Sequence, residues 1–463
     1  MVECEAIDPT QRIAQLEAEN ATLQTEVHRL TDLVAQLTSR VEELERAKPG
    51  GAAFVKPNTH KAKRAKREAP RKKRAGESNH GRKSEAATEI RQHALAHCPD
   101  CGYTLSGQSI GRRRQVIDLP TVQPVQVVEH QVLKRYCPHC QKWYEPQLDL
   151  SGEVVGQGRL GVRVMSLVAW LRTELRLPDA HIQHYLEQVH GLKLSVGEIV
   201  ELAHKVAAAG ADTVAAIQRA IGHSAQTHMD ETTWRENGDN GYVWAASLPS
   251  GERYYAFALS RSGTVAERVL GADFHGTLVT DFYAGYNWYA GPHQRCWVHL
   301  LRDLHALEEA QEPAPPELHT WVTQVKQTYT DGQALVERAP PASPAEREQL
   351  FQTLVERVRE LGLQWAREKG HPAQALCKRL LRHDVELFQF VRQAGLAADN
   401  NLAERSVRPL VIARKVSGGT RSEQGSATRM RLQTLFATWS AQGHNSLAAC
   451  LAMLGGQPFL PAV

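Results

Sequence analysis

A heptad repeat near the N-terminus constrains the fold of this chain more than any other feature of its sequence. Every d position between residues 13 and 44 is leucine, and most a positions are β-branched. The d residues are Leu16, Leu23, Leu30, Leu37 and Leu44, and the a residues are Ile13, Asn20, Val27, Val34 and Val41. This pattern favours a two-stranded parallel coiled coil, in which a single Asn at a fixes the register. The sequence therefore predicts a leucine zipper over residues 1–48 that joins two copies of the chain.

Positive charge is concentrated directly after this repeat. Residues 56–83 contain 12 lysines and arginines against 2 acidic residues, although the net charge of the whole chain is only +4. A basic arm on a mildly acidic body is typical of a contact with nucleic acid, and a flexible linker kept soluble by its charge is the alternative. We expect a basic, disordered linker over residues 49–85, with these DNA-binding residues: Lys61, Lys63, Arg64, Lys66, Arg67, Arg71, Lys72, Lys73 and Arg74.

Two CxxC pairs lie between residues 86 and 150. Their cysteines are Cys98, Cys101, Cys137 and Cys140. Four thiolates in this pattern are typical of a structural zinc site, because Zn²⁺ prefers tetrahedral sulfur ligands and cysteine pairs in a reducing compartment favour metal over disulfide. We predict a zinc ribbon that binds one Zn²⁺, with two or three strands in the 35-residue spacer between the pairs.

The sequence gives no sign of a membrane segment. It contains no run of about 18 apolar residues, and its N-terminus lacks the apolar core of a signal peptide. We therefore expect a cytoplasmic protein with no membrane partner.

Residues 151–222 have a helical pattern. The stretch from Leu177 to Val206 predicts a helix, a glycine turn and a second helix, and Ser195 with Glu198 predicts a capping box at the start of the second. This arrangement is compatible with a helix-turn-helix that reads DNA, and equally with an ordinary helical hairpin, because the second helix carries few basic residues.

After residue 222 the hydrophobic period changes from helical to extended. Three consecutive strands are predicted in "SAQTHMDETTWRE", "GYVWAASLP" and "ERYYAFALS", followed by a short helix, a fourth strand in "GTLVTDFYAGYN" and a helix in "CWVHLLRDLHALEEA". Three antiparallel strands, a helix and a further strand form the opening order of a ribonuclease-H-like fold. The predicted protein is thus multidomain α+β, with a helical DNA-binding domain over 151–222, a ribonuclease-H-like core over 223–305 and 398–463, and a helical insertion over 306–397.

Three carboxylates fall at positions that such a core would bring together. Asp230 lies on the first strand, Asp281 at the end of the fourth, and Glu404 about one turn into the helix that follows the insertion. Two or three carboxylates suit Mg²⁺, and two such ions can drive an in-line phosphoryl displacement. Glu231 competes with Asp230, but neighbours on a strand face opposite ways and only one of them can join the site.

The cations beside Glu404 allow two interpretations. Arg405, Arg408, Arg414 and Lys415 follow it on the same helix. They could pair with Glu404 on a solvated helix face, or they could bind the phosphates on either side of a reacting phosphate.

From the zipper to the C-terminus, the chain resembles the insertion-sequence-66 family of bacterial DDE transposases. The motifs are "HMDETTWR", "VTDFYAGYN", "CWVHLLRDLHAL" and "ADNNLAERSVRPLVIARK", although "VSGGTRSEQGSATRM" is not the commonest wording of its region. The resemblance implies a catalytic triad of Asp230, Asp281 and Glu404 that binds two Mg²⁺ ions, or Mn²⁺ in their place. It also implies double-stranded DNA partners (element ends and target), a homodimer, small accessory proteins from the same element, and a nucleoid-associated location in bacteria.

Two functions from different classes are compatible with these features. The first is a transposase that binds the ends of its element, cleaves DNA and joins strands. The second is a catalytically inert DNA-binding dimer that acts as a regulator. The second function would not need three carboxylates at converging positions, so we favour the enzyme. A stand-alone nuclease of the same fold is a third alternative, but it leaves the zipper unexplained.

Overall fold

The computed structural model describes residues 9–46, 86–107, 109–110, 113–115, 124–311 and 313–456. The predicted basic linker, from Lys61 to Arg74 in particular, lies outside these residues. The chain divides into two units, Met1–Asp118 and Leu119–Val463. Within the described residues, no helix has the length and apolar character needed to cross a membrane.

The described residues of the first unit include a long helix and a cysteine turn. Helix α1 spans Pro9–Arg46. Its described a and d side chains are exposed, including Leu23 at 65% and Leu30 at 47%. The turn holds Cys98, whose backbone N–H donates to Tyr103 O at 2.8 Å. Within this unit the described a and d positions of α1 are thus exposed, as is Cys101, whereas Cys98 is partly exposed.

The second unit begins with the other cysteine pair. Cys137 ends the short strand β1 (Arg135–Cys137), which pairs antiparallel with β2 (Lys142–Tyr144). The backbone N–H of Cys140 donates to Cys137 Sγ at 3.4 Å, which closes the turn between the strands. In the described part of the 35-residue spacer, β1 is the one strand, whereas two or three were predicted.

Four helices follow: α2 (Val162–Thr173), α3 (Asp179–His190), α4 (Val196–Ala209) and α5 (Ala211–Gly222). Gly191 ends α3 with a left-handed conformation, as expected for a glycine that must adopt positive φ. The predicted capping box is confirmed, since Ser195 accepts from the Glu198 N–H and Glu198 accepts from the Ser195 N–H. The exposed start of α4 carries Glu198 and Glu201, and negative charge there does not suit a phosphate contact.

A five-stranded mixed sheet forms the centre of the second unit. Its elements are β3 (Gln226–Glu236), β4 (Asp239–Ser247), β5 (Arg253–Ala258), α6 (Gly263–Leu270), β6 (Thr277–Thr280) and β7 (His293–Arg295). The strand order is β5-β4-β3-β6-β7, with β3 antiparallel to β4 and parallel to β6. The first four strands lie where the sequence predicted them. Strand β7 was not predicted, because its three residues are polar although all are buried.

Five helices then pack on one another, and the last of them contacts β7: α7 (Trp297–Ala310), α8 (Pro316–Val336), α9 (Pro344–Leu363), α10 (Gln374–Arg382) and α11 (Gln389–Arg392). The predicted domain boundary between residues 305 and 306 falls inside α7. The helices share one hydrophobic core with Val279 of β6. The Arg295 N–H also donates to Glu386 O at 2.8 Å, which ties the insertion directly to the sheet.

Three helices complete the described part of the chain: α12 (Asn401–Ser417), α13 (Glu423–Ala441) and α14 (Ser446–Leu454). Helices α12 and α13 cover one face of the sheet, where Val407, Leu410 and Met430 pack against Trp234. Helices α5 and α6 cover the opposite face. Helices α13 and α14 also complete the core of α2–α4, so the predicted domains 151–222 and 398–463 share hydrophobic packing.

Candidate active site

The parallel pairing of β3 with β6 brings the first two predicted carboxylates side by side. His228 lies opposite Val279 in this pairing. Two residues further along each strand, Asp230 and Asp281 occupy matching positions, with Asp281 directly after the end of β6. Neighbouring strands are about 4.8 Å apart, so the register alone places these two residues next to each other.

Side chains on β3 alternate between the two faces of the sheet, and this determines which of its two acidic residues lies on the face covered by α12. Side chains at i, i+2 and i+4 lie on one face of a strand. Trp234 packs against α12, and Asp230 is four residues before it on the same face. Met229 packs on the opposite face with α6, and Glu231 shares that side.

Glu404 is positioned by contacts at the start of α12. Asn400, the N-cap residue, donates its side-chain N–H to Met229 O at 2.7 Å, beside Asp230. The backbone N–H of Asn401 donates a hydrogen bond to Asp399 Oδ1 at 2.9 Å. Ala403 and Val407 are buried against the sheet, so Glu404 lies at the edge of the packed face of the helix. The first turn of α12 is therefore fixed to the strand that carries Asp230.

The pKa of Asp230 is set mainly by burial and by three neighbouring carboxylates. Burial, together with the negative charges of Glu231, Asp281 and Glu404, raises the pKa of Asp230 to about 8. The Glu231 N–H donates to Asp230 Oδ1 at 2.9 Å and lowers the pKa by a smaller amount. Such a buried group favours a bound cation, because a cation would relieve the repulsion among the carboxylates.

Glu231 has its own partners on the other face. Its side chain is almost fully buried, and Arg261 donates to Oε1 at 2.5 Å while Tyr286 donates to Oε2 at 2.5 Å. Burial raises the pKa of Glu231, and the hydrogen bonds from Tyr286 and Arg261 lower it. With both oxygens bonded, Glu231 stabilises the packing of β3 against the segment around Tyr286.

Three of the four predicted cations are exposed on the side of α12 that carries Glu404. Arg405, Arg408 and Lys415 are exposed, and helical geometry puts them within about 100° of Glu404 around the helix axis. Arg414 differs, because its guanidinium donates to the backbone oxygen and the hydroxyl of Thr233. Arg414 therefore has a structural contact with β3 that the sequence did not predict.

A buried arginine that sequence reasoning missed holds the backbone of Asp281. Arg295 on β7 is fully buried and donates to Asp281 O at 2.9 Å and to Asn287 Oδ1 at 2.7 Å. Its Nε donates to Glu386 at 2.6 Å. Burial raises the pKa of Glu386, but His383 and Arg295 outweigh this and hold it at about 2. Arg295 thus links the second carboxylate to the helical insertion.

Two further residues near Glu404 were not predicted. Cys296 precedes α7 and His299 lies in its first turn, and the Nδ1 of His299 is 3.6 Å from Glu404 Oε1. Burial raises the pKa of the Cys296 thiol, whereas the N–H groups of Asn400, His299 and Val298 lower it. The spacing C-x-x-H in "CWVH" was the available signal, but the segment was predicted only as a helix.

The donor atoms of the two cysteine turns suit a structural metal. Backbone N–H groups of Asp100 and Cys101 lower the pKa of Cys98. Those of Cys140 and His139 do the same for Cys137. Thiolate is the form that binds Zn²⁺, so each turn favours the ligand state.

Comparison with known proteins identifies two matching families. A model of the IS66 family of transposases matches residues 157–428, and a model of the zinc-finger binding domain of transposase IS66 matches residues 96–141. The second match includes both CxxC pairs. An uncharacterized protein, y4qI, from Sinorhizobium fredii (strain NBRC 101917 / NGR234) is 29% identical over 210 residues. That alignment covers 42% of this chain and 38% of the relative, so the chain spans well under half the length of that protein.

The raised pKa of Asp230 predicts that Asp230→Asn stabilises the fold. Folded Asp230 keeps its proton to about pH 8, whereas an unfolded aspartate loses it near pH 4. The folded state therefore binds more protons in this window, and stability falls as pH rises through it. In Mg²⁺-free buffer, the variant should be more stable than the wild type, with an advantage that grows by up to about 4 kcal/mol from pH 5 to pH 8, because each pH unit in this window is worth about 1.4 kcal/mol.

Urea denaturation at both pH values measures this difference. The exposed Glu267→Gln change on α6 is the matched control and should leave the pH dependence unchanged. Parallel stability curves for Asp230→Asn and the wild type would show that Asp230 is ionised like a surface aspartate.

Proposed function

Because the chain belongs to the IS66 family of transposases, we propose that it is a DDE-type transposase that binds the ends of its insertion sequence and catalyses metal-dependent DNA cleavage and strand transfer. The observation that carries the proposal is the partly buried cluster of Asp230 with Asp281 and Glu404. Such a cluster costs stability, as the raised pKa of Asp230 indicates. An inert DNA-binding dimer would gain nothing from a cluster that lowers the stability of its fold, so the cluster favours the enzyme.

The catalytic core is proposed to be ribonuclease-H-like. The sheet order β5-β4-β3-β6-β7, with three antiparallel strands followed by two parallel ones, supports this assignment. The returning helix α12 packs across β3 and β4 and carries the third carboxylate. The helical insertion lies between the second and third acidic residues.

The donor set of the cluster fits Mg²⁺, which prefers carboxylate oxygens and retains several waters. Asp230, Asp281 and Glu404 would hold it, with Mn²⁺ as a substitute. When bound, two such ions stabilise the attacking and leaving oxygens of a phosphoryl transfer. The burial of Asp230 keeps its carboxylate in a fixed place, and the Arg295 hydrogen bond to Asp281 O holds the second carboxylate against β7.

The exposed cations of α12 would bind the DNA backbone beside the reacting phosphate. Arg405, Arg408 and Lys415 present positive charge on the side of the helix that carries Glu404. Phosphate contacts of this kind position a substrate without reading its sequence. Arg414 contributes indirectly, since its bonds to Thr233 hold α12 on the sheet.

The N-terminal segments would supply binding and assembly. The zipper over 1–48 would make the dimer, and the basic linker over 49–85 would add affinity for DNA of any sequence. The zinc ribbon over 86–150 would bind one Zn²⁺ through Cys98, Cys101, Cys137 and Cys140, which the zinc-finger family match supports. Small accessory proteins from the same element remain proposed partners.

Carboxylate-to-amide changes in the triad test the proposed chemistry. Each of Asp230→Asn, Asp281→Asn and Glu404→Gln should reduce cleavage and strand transfer by at least about 100-fold, because the amide keeps the shape but removes the charge that holds Mg²⁺. Binding to DNA that carries the element's own ends should persist. Cleavage gels and mobility-shift assays on the same preparations measure both activities.

The control for this experiment is Glu267→Gln, the same chemical change at an exposed position on the opposite face of the sheet. It should retain cleavage. A Glu404→Gln protein with full strand transfer would remove the third carboxylate from the mechanism. If the wild type binds the ends but never cuts them with Mg²⁺ or Mn²⁺, the inert regulator becomes the better function.

The exposed stripe of α1 predicts the dimer. Leu23→Glu with Leu30→Glu places charge in the d positions and should convert the full-length protein to monomers, since buried like charges oppose the coiled-coil seam. Thr22→Glu with Thr25→Glu adds the same charge at the outer c and f positions and should leave the dimer intact. Multi-angle light scattering gives the mass. An unchanged dimer in the leucine variant would locate the interface elsewhere.

A further inference from the structure

Three metal-ligating side chains meet at the start of helices α7 and α12. The ligand atoms of Cys296, His299 and Glu404 all lie within 4.8 Å of one another. Cys296 is the N-cap of α7 and His299 lies in its first turn. The two helix starts are joined by a hydrogen bond from the Trp297 N–H to Ala398 O at 3.0 Å. The backbone therefore fixes this trio independently of the side chains.

The spacing within the trio fits an ion better than a hydrogen bond. His299 Nδ1 and Glu404 Oε1 are 3.6 Å apart, which is too long for a hydrogen bond. Both atoms are buried and have no hydrogen-bond partner within the described part of the chain. A tetrahedral Zn²⁺ with nitrogen and oxygen ligands at about 2.0–2.2 Å would hold those two atoms about 3.4 Å apart. A shared ion would satisfy both atoms at nearly their present separation.

We propose that Cys296, His299 and Glu404 bind a transition-metal ion of the Zn²⁺ class, at a site separate from the zinc ribbon. One thiolate, one imidazole and one carboxylate form a donor set that suits Zn²⁺ or Co²⁺ and does not suit Mg²⁺. Three protein ligands leave a fourth position for water.

The surroundings of the sulfur support a ligand role. Cys296 is completely buried, and its Sγ accepts the Asn400 N–H at 3.2 Å. N–H donors to a ligating atom orient it and spread its charge, as outer contacts do in metal sites. The same residue, Asn400, also bonds to Met229 O. One residue thus connects this trio to the strand that carries Asp230.

The inference goes beyond the proposed function and does not depend on it, although the two share Glu404. A bound Zn²⁺ would hold the Glu404 carboxylate through Oε1. The test therefore reads metal content and spectra, not DNA cleavage. Failure of this proposal would give a protein that cuts DNA but lacks the second metal ion. Failure of the proposed function would give a protein that binds the ion but does not cut DNA.

Metal content of the full-length protein is the first measurement. After exposure to Zn²⁺ and gel filtration in excess Mg²⁺, the wild type should contain two Zn²⁺ per chain, one in the ribbon and one at this trio. Cys296→Ala should contain one. Cys450→Ala is the matched control, because it removes another buried cysteine, on α14, and should keep both ions. A wild type with one Zn²⁺ that Cys296→Ala retains would overturn the proposal.

Cobalt spectra separate the two sites. In the ribbon variant Cys98→Ala with Cys101→Ala, one tightly bound Co²⁺ should remain, with the absorption of a single thiolate ligand, and Cys296→Ala in that background should abolish it. If Cys296→Ala does not fold, His299→Gln replaces a side chain that is 29% exposed and should cause the same loss. Cobalt binding that survives both changes would contradict the assignment.

Discussion

The parallel pairing of β3 with β6 is the interaction on which the rest of the candidate site depends. Its register places Asp230 beside Asp281, and a slip of one residue would turn the acidic side chain of β3 to the opposite face. Strand β7 extends the same parallel arrangement and delivers Arg295 beneath Asp281. The packing of α12 on β3 then adds Glu404 from a distant part of the sequence.

This arrangement places repelling charges in a partly buried position. Burial and three neighbouring carboxylates raise the pKa of Asp230, whereas Glu231, one residue away, accepts hydrogen bonds from Arg261 and Tyr286. The contrast separates two roles on one strand: Glu231 stabilises the fold, and Asp230 lacks a cationic side-chain partner of that kind among the described contacts. Functional sites typically contain a few residues whose arrangement lowers the stability of the fold.

The sequence predicted the elements that follow from local patterns and missed those set by tertiary contacts. Aromatic and β-branched runs between turn signals located the first strands of the sheet, and the Ser195 capping box was visible from its spacing. Strand β7 is three polar residues long, and its burial depends on hydrogen bonds to the insertion, so no hydrophobic pattern could reveal it. The hydrogen bond from Arg414 to Thr233 and the proximity of Cys296 to Glu404 likewise depend on how α12 packs against the sheet.

Anomalous diffraction from crystals of the full-length protein grown with Mn²⁺ and DNA carrying the element's ends tests the proposed metal site most directly. Mn²⁺ can replace Mg²⁺ and is visible by its anomalous signal. The proposed mechanism predicts two Mn²⁺ peaks about 3.5–4 Å apart, bound by Asp230, Asp281 and Glu404. Mn²⁺ bound elsewhere on the protein, or held by the aspartates while Glu404 contacts neither ion nor DNA, would contradict it.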